Sequence, residues 1–177
     1  MAIATVTFLV GLTDWIPLAN CQTAWFVKKP CSCSYSYSRH NVKCRPFVPI
    51  LQTLVDIVER ILYEKGFNAI NINNYTNEKS ALGYHSDGES LFQAKIRDSC
   101  IVSISFGATR RFAIRNLQCG AEKITPLQHG DICTMEGLFQ KFYEHSILRE
   151  SCCTGRWFNL TLRKIVQHQT SCSMSTS

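Results

Sequence analysis

The sequence predicts a mostly β protein in which an N-terminal amphipathic helix precedes a jelly-roll core. Three observations support this: one stretch of helical apolar spacing, a series of short apolar or alternating runs after it, and turn residues that punctuate those runs. The 177 residues suit one folded domain able to bury its own core. An apolar fraction of 45% with 18% charged residues describes a globular chain rather than a disordered one. No window reaches the continuous apolar length of a membrane-spanning helix, so no membrane partner is expected.

The opening stretch from Met1 to Leu18 is apolar, but no basic residue precedes its apolar run, and Asp14 and Trp15 interrupt it. These features argue against a signal peptide and lead us to expect an N-terminal strand. Between Pro49 and Lys65, residues Leu51, Leu54, Val55, Val58, Ile61 and Leu62 recur at helical spacing, with Asp56, Glu59, Arg60 and Glu64 between them. Gly66 stands where a left-handed C-cap residue is expected. Phe67 to Tyr75 then alternates as a strand. Further strands are expected over Cys100–Phe106, Arg111–Arg115, Asp131–Met135, Phe142–Leu148 and Phe158–Ile165. Gly107-Ala108-Thr109 reads as a hairpin connection and His129-Gly130-Asp131 as a turn. We expect residues 1–34 to form an N-terminal extension, 35–167 the folded domain, and 168–177 a mobile, Ser-rich tail.

Ten cysteines are scattered along the chain. The closest sets, Cys31-Ser32-Cys33 and Cys152-Cys153, lack the C-x-x-C spacing of a zinc site, so free thiols in a reducing compartment, cytoplasmic or nuclear, are expected. Nineteen Lys and Arg against thirteen Asp and Glu give a net charge of +6. Arg110, Arg111 and Arg115 lie among the runs expected to frame the site, which suits a polyanionic partner.

His85 and Asp87 lie two apart, so on a strand their side chains share a face and can converge on one ion. His145 follows in the right order to supply a third ligand. Two histidines and one carboxylate on one side of an ion leave its other positions open, the arrangement of non-heme Fe(II) oxygenases. A surface His and Asp at a strand end is the competing reading of the pair, and the ordered presence of His145 and Arg163 favours the metal. His40, His129 and His168 read as ordinary histidines. Alternation places Asn159, Thr161 and Arg163 on one strand face, where an arginine is well suited to hold one carboxylate of a dicarboxylate cosubstrate.

Together these residues resemble the AlkB-like Fe(II)/2-oxoglutarate dioxygenases, which remove alkyl groups from nucleic acid bases and are also found in viral replication polyproteins. The match covers Tyr35-Ser36-Tyr37-Ser38, Asn73-Asn74-Tyr75, His85-Ser86-Asp87, Ser103 to Arg110, Met135-Glu136-Gly137, His145 and Asn159 to Arg163. The resemblance implies a double-stranded β-helix core and His85, Asp87 and His145 as ligands of Fe(II). It also implies that Asn73, Tyr75, Asn159 and Arg163 hold 2-oxoglutarate, with O2 as the second cosubstrate. Tyr35 and Tyr37 match a strand that contacts the target base, Tyr37 at a position that stacks on it, and Arg110 is expected on the substrate side. The implied reaction is oxidative demethylation of bases such as 1-methyladenine or 3-methylcytosine in RNA or DNA, releasing formaldehyde, succinate and CO2, by a monomer. A protein side-chain hydroxylase or demethylase, or a catalytically weak nucleic-acid-binding jelly roll, are the alternatives.

Two positions depart from the family pattern. Trp157 stands where an arginine usually precedes Asn159 by two, and Arg156 is one place early. A strand bulge would be needed to turn Arg156 toward the cosubstrate; otherwise affinity is weakened, or a group such as Lys141 substitutes. Gly88 stands where relatives commonly carry an acidic residue, which leaves Glu89 to contact the base.

Overall fold

The computed structural model describes residues 2–37, 40–152 and 155–175. In chain order its elements are α1 (Ala2–Gly11), β1 (Ile16–Pro17), β2 (Gln22–Val27), β3 (Tyr35–Tyr37), β4 (His40–Val42), β5 (Cys44–Pro46) and α2 (Pro49–Leu62). They continue with β6 (Ala69–Tyr75), β7 (Leu82–His85), β8 (Ser99–Gly107), β9 (Arg110–Asn116), β10 (Glu122–Leu127) and β11 (Ile132–Gly137). A short α3 (Phe139–Phe142), β12 (Tyr143–Ile147) and β13 (Trp157–Arg163) complete the order.

The larger sheet runs β1-β2-β6-β13-β8-β11, with β5 added in parallel on β2, and the smaller runs β10-β9-β12-β7. A β3–β4 hairpin stands apart from both. This is the jelly-roll arrangement expected from the sequence. The segment Gly107-Ala108-Thr109 does not close a hairpin, because β8 belongs to the larger sheet and β9 to the smaller. It is a corner that carries the chain between sheets. Gly107 has φ of 104°, and a Cβ there would sit 2.3 Å from the carbonyl oxygen of Arg156, so both conformation and space demand glycine.

Alternation along the central strands sorts two different faces. Phe26, Ile70, Ile72, Val102, Ile104, Phe158, Leu160 and Leu162 face the helices and form an apolar core with Leu51, Leu54, Val55 and Val58 of α2. Each such side chain contributes roughly 1.5–3 kcal/mol when withdrawn from water. The interleaved residues Asn71, Asn73, Asn159, Thr161 and Arg163 are also buried, on the face turned toward the smaller sheet. There they bond one another: Thr23 Oγ1 to Asn71 Oδ1 at 2.9 Å, Asn71 Nδ2 to Asn73 Oδ1 at 3.1 Å, and Thr161 Oγ1 to Asn159 Oδ1 at 3.0 Å. A buried polar row of this kind persists because its groups are paired.

Two helix expectations need correction. The first segment is helical over Ala2–Gly11 rather than extended, with Leu9 fully buried and Phe8 edge-on to Phe26 at 6.2 Å. A short apolar run carries no decisive periodicity, and here packing on the helical face of the large sheet decides its form. The second helix ends earlier than Gly66: Tyr63 takes the left-handed cap position with φ of 53°. Glu59 Oε1 then accepts the backbone N–H groups of Gly66 (2.7 Å) and Phe67 (3.1 Å) and turns the chain into β6. Among the described residues, no helix is long and apolar enough to cross a membrane.

Candidate metal centre

His85 ends β7 and lies directly opposite His145 of β12 in the smaller sheet, so cross-strand pairing brings the two imidazoles together with ring centroids 4.3 Å apart. Asp87 follows two residues after His85, with its backbone N–H held by Gln140 Oε1 at 2.8 Å. Ligand atoms of His85, Asp87 and His145 all lie within 4.8 Å of one another. The Nδ1 of His85 faces the Gly83 carbonyl at 2.9 Å, and since a carbonyl only accepts, that nitrogen carries the proton and Nε2 carries the lone pair. This Nε2 lies 3.9 Å from Asp87 Oδ1. Asp87 is completely buried, yet its Oδ1 has no hydrogen-bond partner, and neither does Nδ1 of buried His145. A buried carboxylate oxygen left bare beside two imidazoles is what a bound cation would satisfy, so the residues fit a 2-His-1-carboxylate iron.

Arg163 comes from the opposite sheet and places both Nε (3.1 Å) and Nη2 (2.8 Å) on Asp87 Oδ2. Burial favours the neutral acid, but the Arg163 guanidinium beside it, by charge and by hydrogen bonds, outweighs burial and holds Asp87 down at about 2. Burial drives His145 the other way, down to about 3, so it is a neutral imidazole ready to ligate. The charges around Arg163, Asp87 first, outweigh its own burial and keep it protonated. The guanidinium lies over Tyr35 (5.5 Å) and Phe92 (5.2 Å), which fixes it from its flanks. Sequence assigned Arg163 to the cosubstrate; two of its three nitrogens instead orient the metal carboxylate, leaving buried Nη1 without a partner and able to take a cosubstrate oxygen.

Asn73, Tyr75, Asn159, Thr161 and Arg163 line one narrow cavity with His85 and His145, so the expected cosubstrate residues do converge beside the metal ligands. Among the described residues, Arg163 is the one Lys or Arg lining it. Trp157 is fully buried against Tyr75, ring centroids 4.9 Å apart, and its Nε1 has no partner. Strand β13 pairs continuously with both neighbours from Trp157 onward, without a bulge. Arg156 is therefore not re-aimed: it is exposed, with its guanidinium over Phe158 on the helical face (5.9 Å). Lys141 is also exposed, with Nζ over the Phe142 ring. The cavity thus offers a cationic anchor for one carboxylate and neutral donors for a second. Replacing Trp157 with Arg should tighten 2-oxoglutarate binding by about tenfold or more, the worth of one charge-assisted hydrogen bond. Titration of the variant with 2-oxoglutarate checks this, and unchanged affinity would rule out the missing cation as a determinant.

The expected substrate residues are only partly assembled. Tyr35 is buried and stacks on Trp25 at 4.8 Å, so its ring face is not free for a base. Its hydroxyl donates to Glu89 Oε1 at 2.9 Å, which makes it a support for Glu89. Burial, and then the nearby Asp87 charge, raise the Glu89 carboxyl above its ordinary value, and Glu89 Oε2 is buried without a partner. The side chain of Tyr37 lies outside the described residues. Arg110 is fully buried and donates to the Asn77 carbonyl, so it braces a loop rather than facing a polyanion. Arg111 pairs with Glu150 and Arg115 with Glu144, which neutralises the basic cluster read from the sequence. Lys95 folds over Gly88, where its Cε would lie 2.3 Å from an added Cβ. Sequence reading missed Gln140, whose fixing of Asp87 has no signature short of the fold.

The family model of the 2OG-Fe(II) oxygenase superfamily matches residues 16–163. The chain is 36% identical over 155 residues to human alpha-ketoglutarate-dependent dioxygenase alkB homolog 3, covering 81% of this chain and 51% of that protein. It is 29% identical over 142 residues to human DNA oxidative demethylase ALKBH2, covering 75% and 52%. Uncharacterized protein R406 of Acanthamoeba polyphaga mimivirus is 30% identical over 127 residues, covering 72% and 63%. The chain therefore spans about half the length of the human relatives it matches. A solved structure described as that of OsALKBH1 superposes with a TM-score of 0.62 at 16% identity, over 87% of this chain and 82% of that one, which supports the shared fold. With His85, Asp87 and His145 gathered inside a jelly roll and the family match spanning both sheets, this chain belongs to the 2OG-Fe(II) oxygenase superfamily.

Proposed function

We infer that the protein is an Fe(II)- and 2-oxoglutarate-dependent demethylase of N-methylated nucleic acid bases. The observation that carries this reading is the convergence of His85, His145 and the bare Oδ1 of Asp87 beside a cavity lined by the polar side chains Asn73, Asn159, Thr161 and Arg163. Iron, 2-oxoglutarate and O2 together supply an oxidant able to hydroxylate an N-methyl carbon, with succinate, CO2 and then formaldehyde as products. The chain's own contribution is orientation and exclusion of water. His85 and His145 present ring nitrogens to the ion, Arg163 fixes Asp87 and offers Nη1 to a carboxylate, and Phe112, Met135 and Ile147 close the cavity with apolar surface.

Glu89 supports a cationic base as substrate. Its Oε2 is bare and buried, and 1-methyladenine and 3-methylcytosine bring a positive charge that such an oxygen would pair with, releasing any proton it holds. Extracting a base from its stack costs a few kcal/mol, least in single strands, so single-stranded RNA or DNA is the favoured form. The names of the human relatives, a dioxygenase and a DNA oxidative demethylase, agree with this class of substrate. We further place the protein as a monomer in a reducing, cytoplasmic or nuclear compartment, where ferrous iron persists. An aerobic assay with Fe(II), 2-oxoglutarate and a panel of methylated DNA and RNA oligomers, read by mass spectrometry, tests the reading. Loss of a methyl group from an oligomer carrying a cationic base is expected, and turnover confined to a parallel peptide panel would transfer the activity to protein side chains.

A further inference from the structure

A second cluster of ligating side chains lies outside the candidate iron site. Cys31 and Cys33 sit in the loop between β2 and β3, and His168 and Cys172 follow β13. His168 Nδ1 lies 3.6 Å from Cys31 Sγ, 3.5 Å from Cys33 Sγ and 3.6 Å from Cys172 Sγ, and the Cys31 and Cys172 sulfurs are 3.9 Å apart. One ring nitrogen has one proton or one lone pair, so it cannot make three good hydrogen bonds at once. A shared cation accounts for the geometry. Zinc with sulfur at about 2.3 Å and nitrogen at about 2.0–2.1 Å in a tetrahedron gives sulfur–nitrogen edges of about 3.6 Å and sulfur–sulfur edges of about 3.8 Å. The observed edges reproduce both.

Backbone donors reach all three sulfurs. Each sulfur accepts one backbone N–H: Cys172 from Ser32 (3.3 Å), Cys31 from Cys33 (3.5 Å) and Cys33 from Gln169 (3.4 Å). Such donors offset the negative charge that three sulfurs bring to a zinc, as outer contacts do in metal sites generally. All three cysteines are buried, and four protein ligands leave no open position, which marks a structural rather than a catalytic centre. Gln169 also bonds Ser34 through both ends of its amide, Oε1 to the backbone N–H (2.9 Å) and Nε2 to the carbonyl (3.1 Å).

We propose that Cys31, Cys33, His168 and Cys172 form a Cys3His zinc site that clamps the segment after the last strand onto the loop leading to Tyr35. The clamp joins positions 141 residues apart. Cys33 is two residues before Tyr35, and its carbonyl accepts Trp25 Nε1 at 2.9 Å, with Trp25 stacked on Tyr35. The zinc therefore steadies the Tyr35 hydroxyl that holds Glu89. Soft thiolates select zinc over Fe(II), and the two-histidine, one-carboxylate set does not contain a thiolate, so the chain sorts two metals by ligand type.

The test is metal analysis of the full chain purified without chelators under reducing conditions, followed by exchange with Co(II). One zinc per chain is expected, and cobalt in its place gives the intense thiolate-to-metal charge-transfer band of a tetrahedral thiolate site. That band survives His85→Ala, which damages only the iron ligands, falls in Cys172→Ser by about a third, one thiolate of three, and shifts in His168→Ala, where the nitrogen ligand is lost. A folded wild-type protein with neither zinc nor the cobalt band would overturn the proposal, whatever the variants do. So would a band of undiminished intensity without Cys172, or a Cys31–Cys172 disulfide in the reduced preparation.

Discussion

Replacing His85 with alanine is expected to abolish iron-dependent turnover and leave the protein folded, whereas replacing Asp87 with alanine abolishes turnover and destabilises the fold as well. The difference lies in what each side chain leaves behind. His85 is a partly exposed imidazole at a strand end, and its loss leaves the buried Arg163–Asp87 pair intact. Asp87 is the buried counter-ion of Arg163, whose side chain is 4% exposed. Removing one partner of a buried ion pair costs about 3–5 kcal/mol because the other charge stays behind unpaired. For a chain of this length that corresponds to a fall in melting temperature on the order of 10 °C. Thermal melts of the two purified, metal-free variants beside formaldehyde release separate the effects. Equal stability would show that Arg163 does not depend on Asp87, and full turnover in either variant would remove the metal assignment.

The double variant Asp87→Ala/Arg163→Met should recover most of the stability lost by Asp87→Ala and none of the activity. Buried ion pairs replaced together by apolar groups of similar volume are often neutral or stabilising, while single deletions are costly. Two contacting residues of this kind therefore show a large coupling energy in a double-mutant cycle, here about 2 kcal/mol or more. The single variant Arg163→Met should weaken 2-oxoglutarate binding at the same time, since it removes Nη1 from the cavity along with the support of Asp87. Denaturant melts and cosubstrate titrations of the three variants measure this. Additive stability losses, or an unchanged 2-oxoglutarate affinity in Arg163→Met, would show that Arg163 plays neither part.

Local sequence carried α2, most strands and the candidate ligand group, because each is written in a short-range pattern: 3.6-residue spacing in α2, alternation in β6 and β13, and the two-residue step from His85 to Asp87. The same alternation already placed Arg156 on the wrong face, and the unbroken register of β13 leaves it there. What sequence could not give depends on which surfaces meet. The Arg163–Asp87 pair joins residues 76 apart across two sheets, and no spacing announces it. The resemblance put Tyr35 on a strand that contacts the base, and Trp25 and Glu89 instead bury it by packing on it from distant positions. The basic cluster dissolved for a similar reason: Glu144 and Glu150, far along the chain, neutralise Arg115 and Arg111. The C-x-C at Cys31 has its partners in His168-x-x-x-Cys172, a pairing that becomes visible once the fold joins both ends.

Anaerobic titration of the metal-free protein with Fe(II), after zinc has been restored, tests the central assignment most directly. One ferrous ion per chain is expected, and that binding should vanish in His85→Ala and in His145→Ala. Iron bound with undiminished affinity in both variants would contradict the account, because no ion could then be seated between those two imidazoles and Asp87.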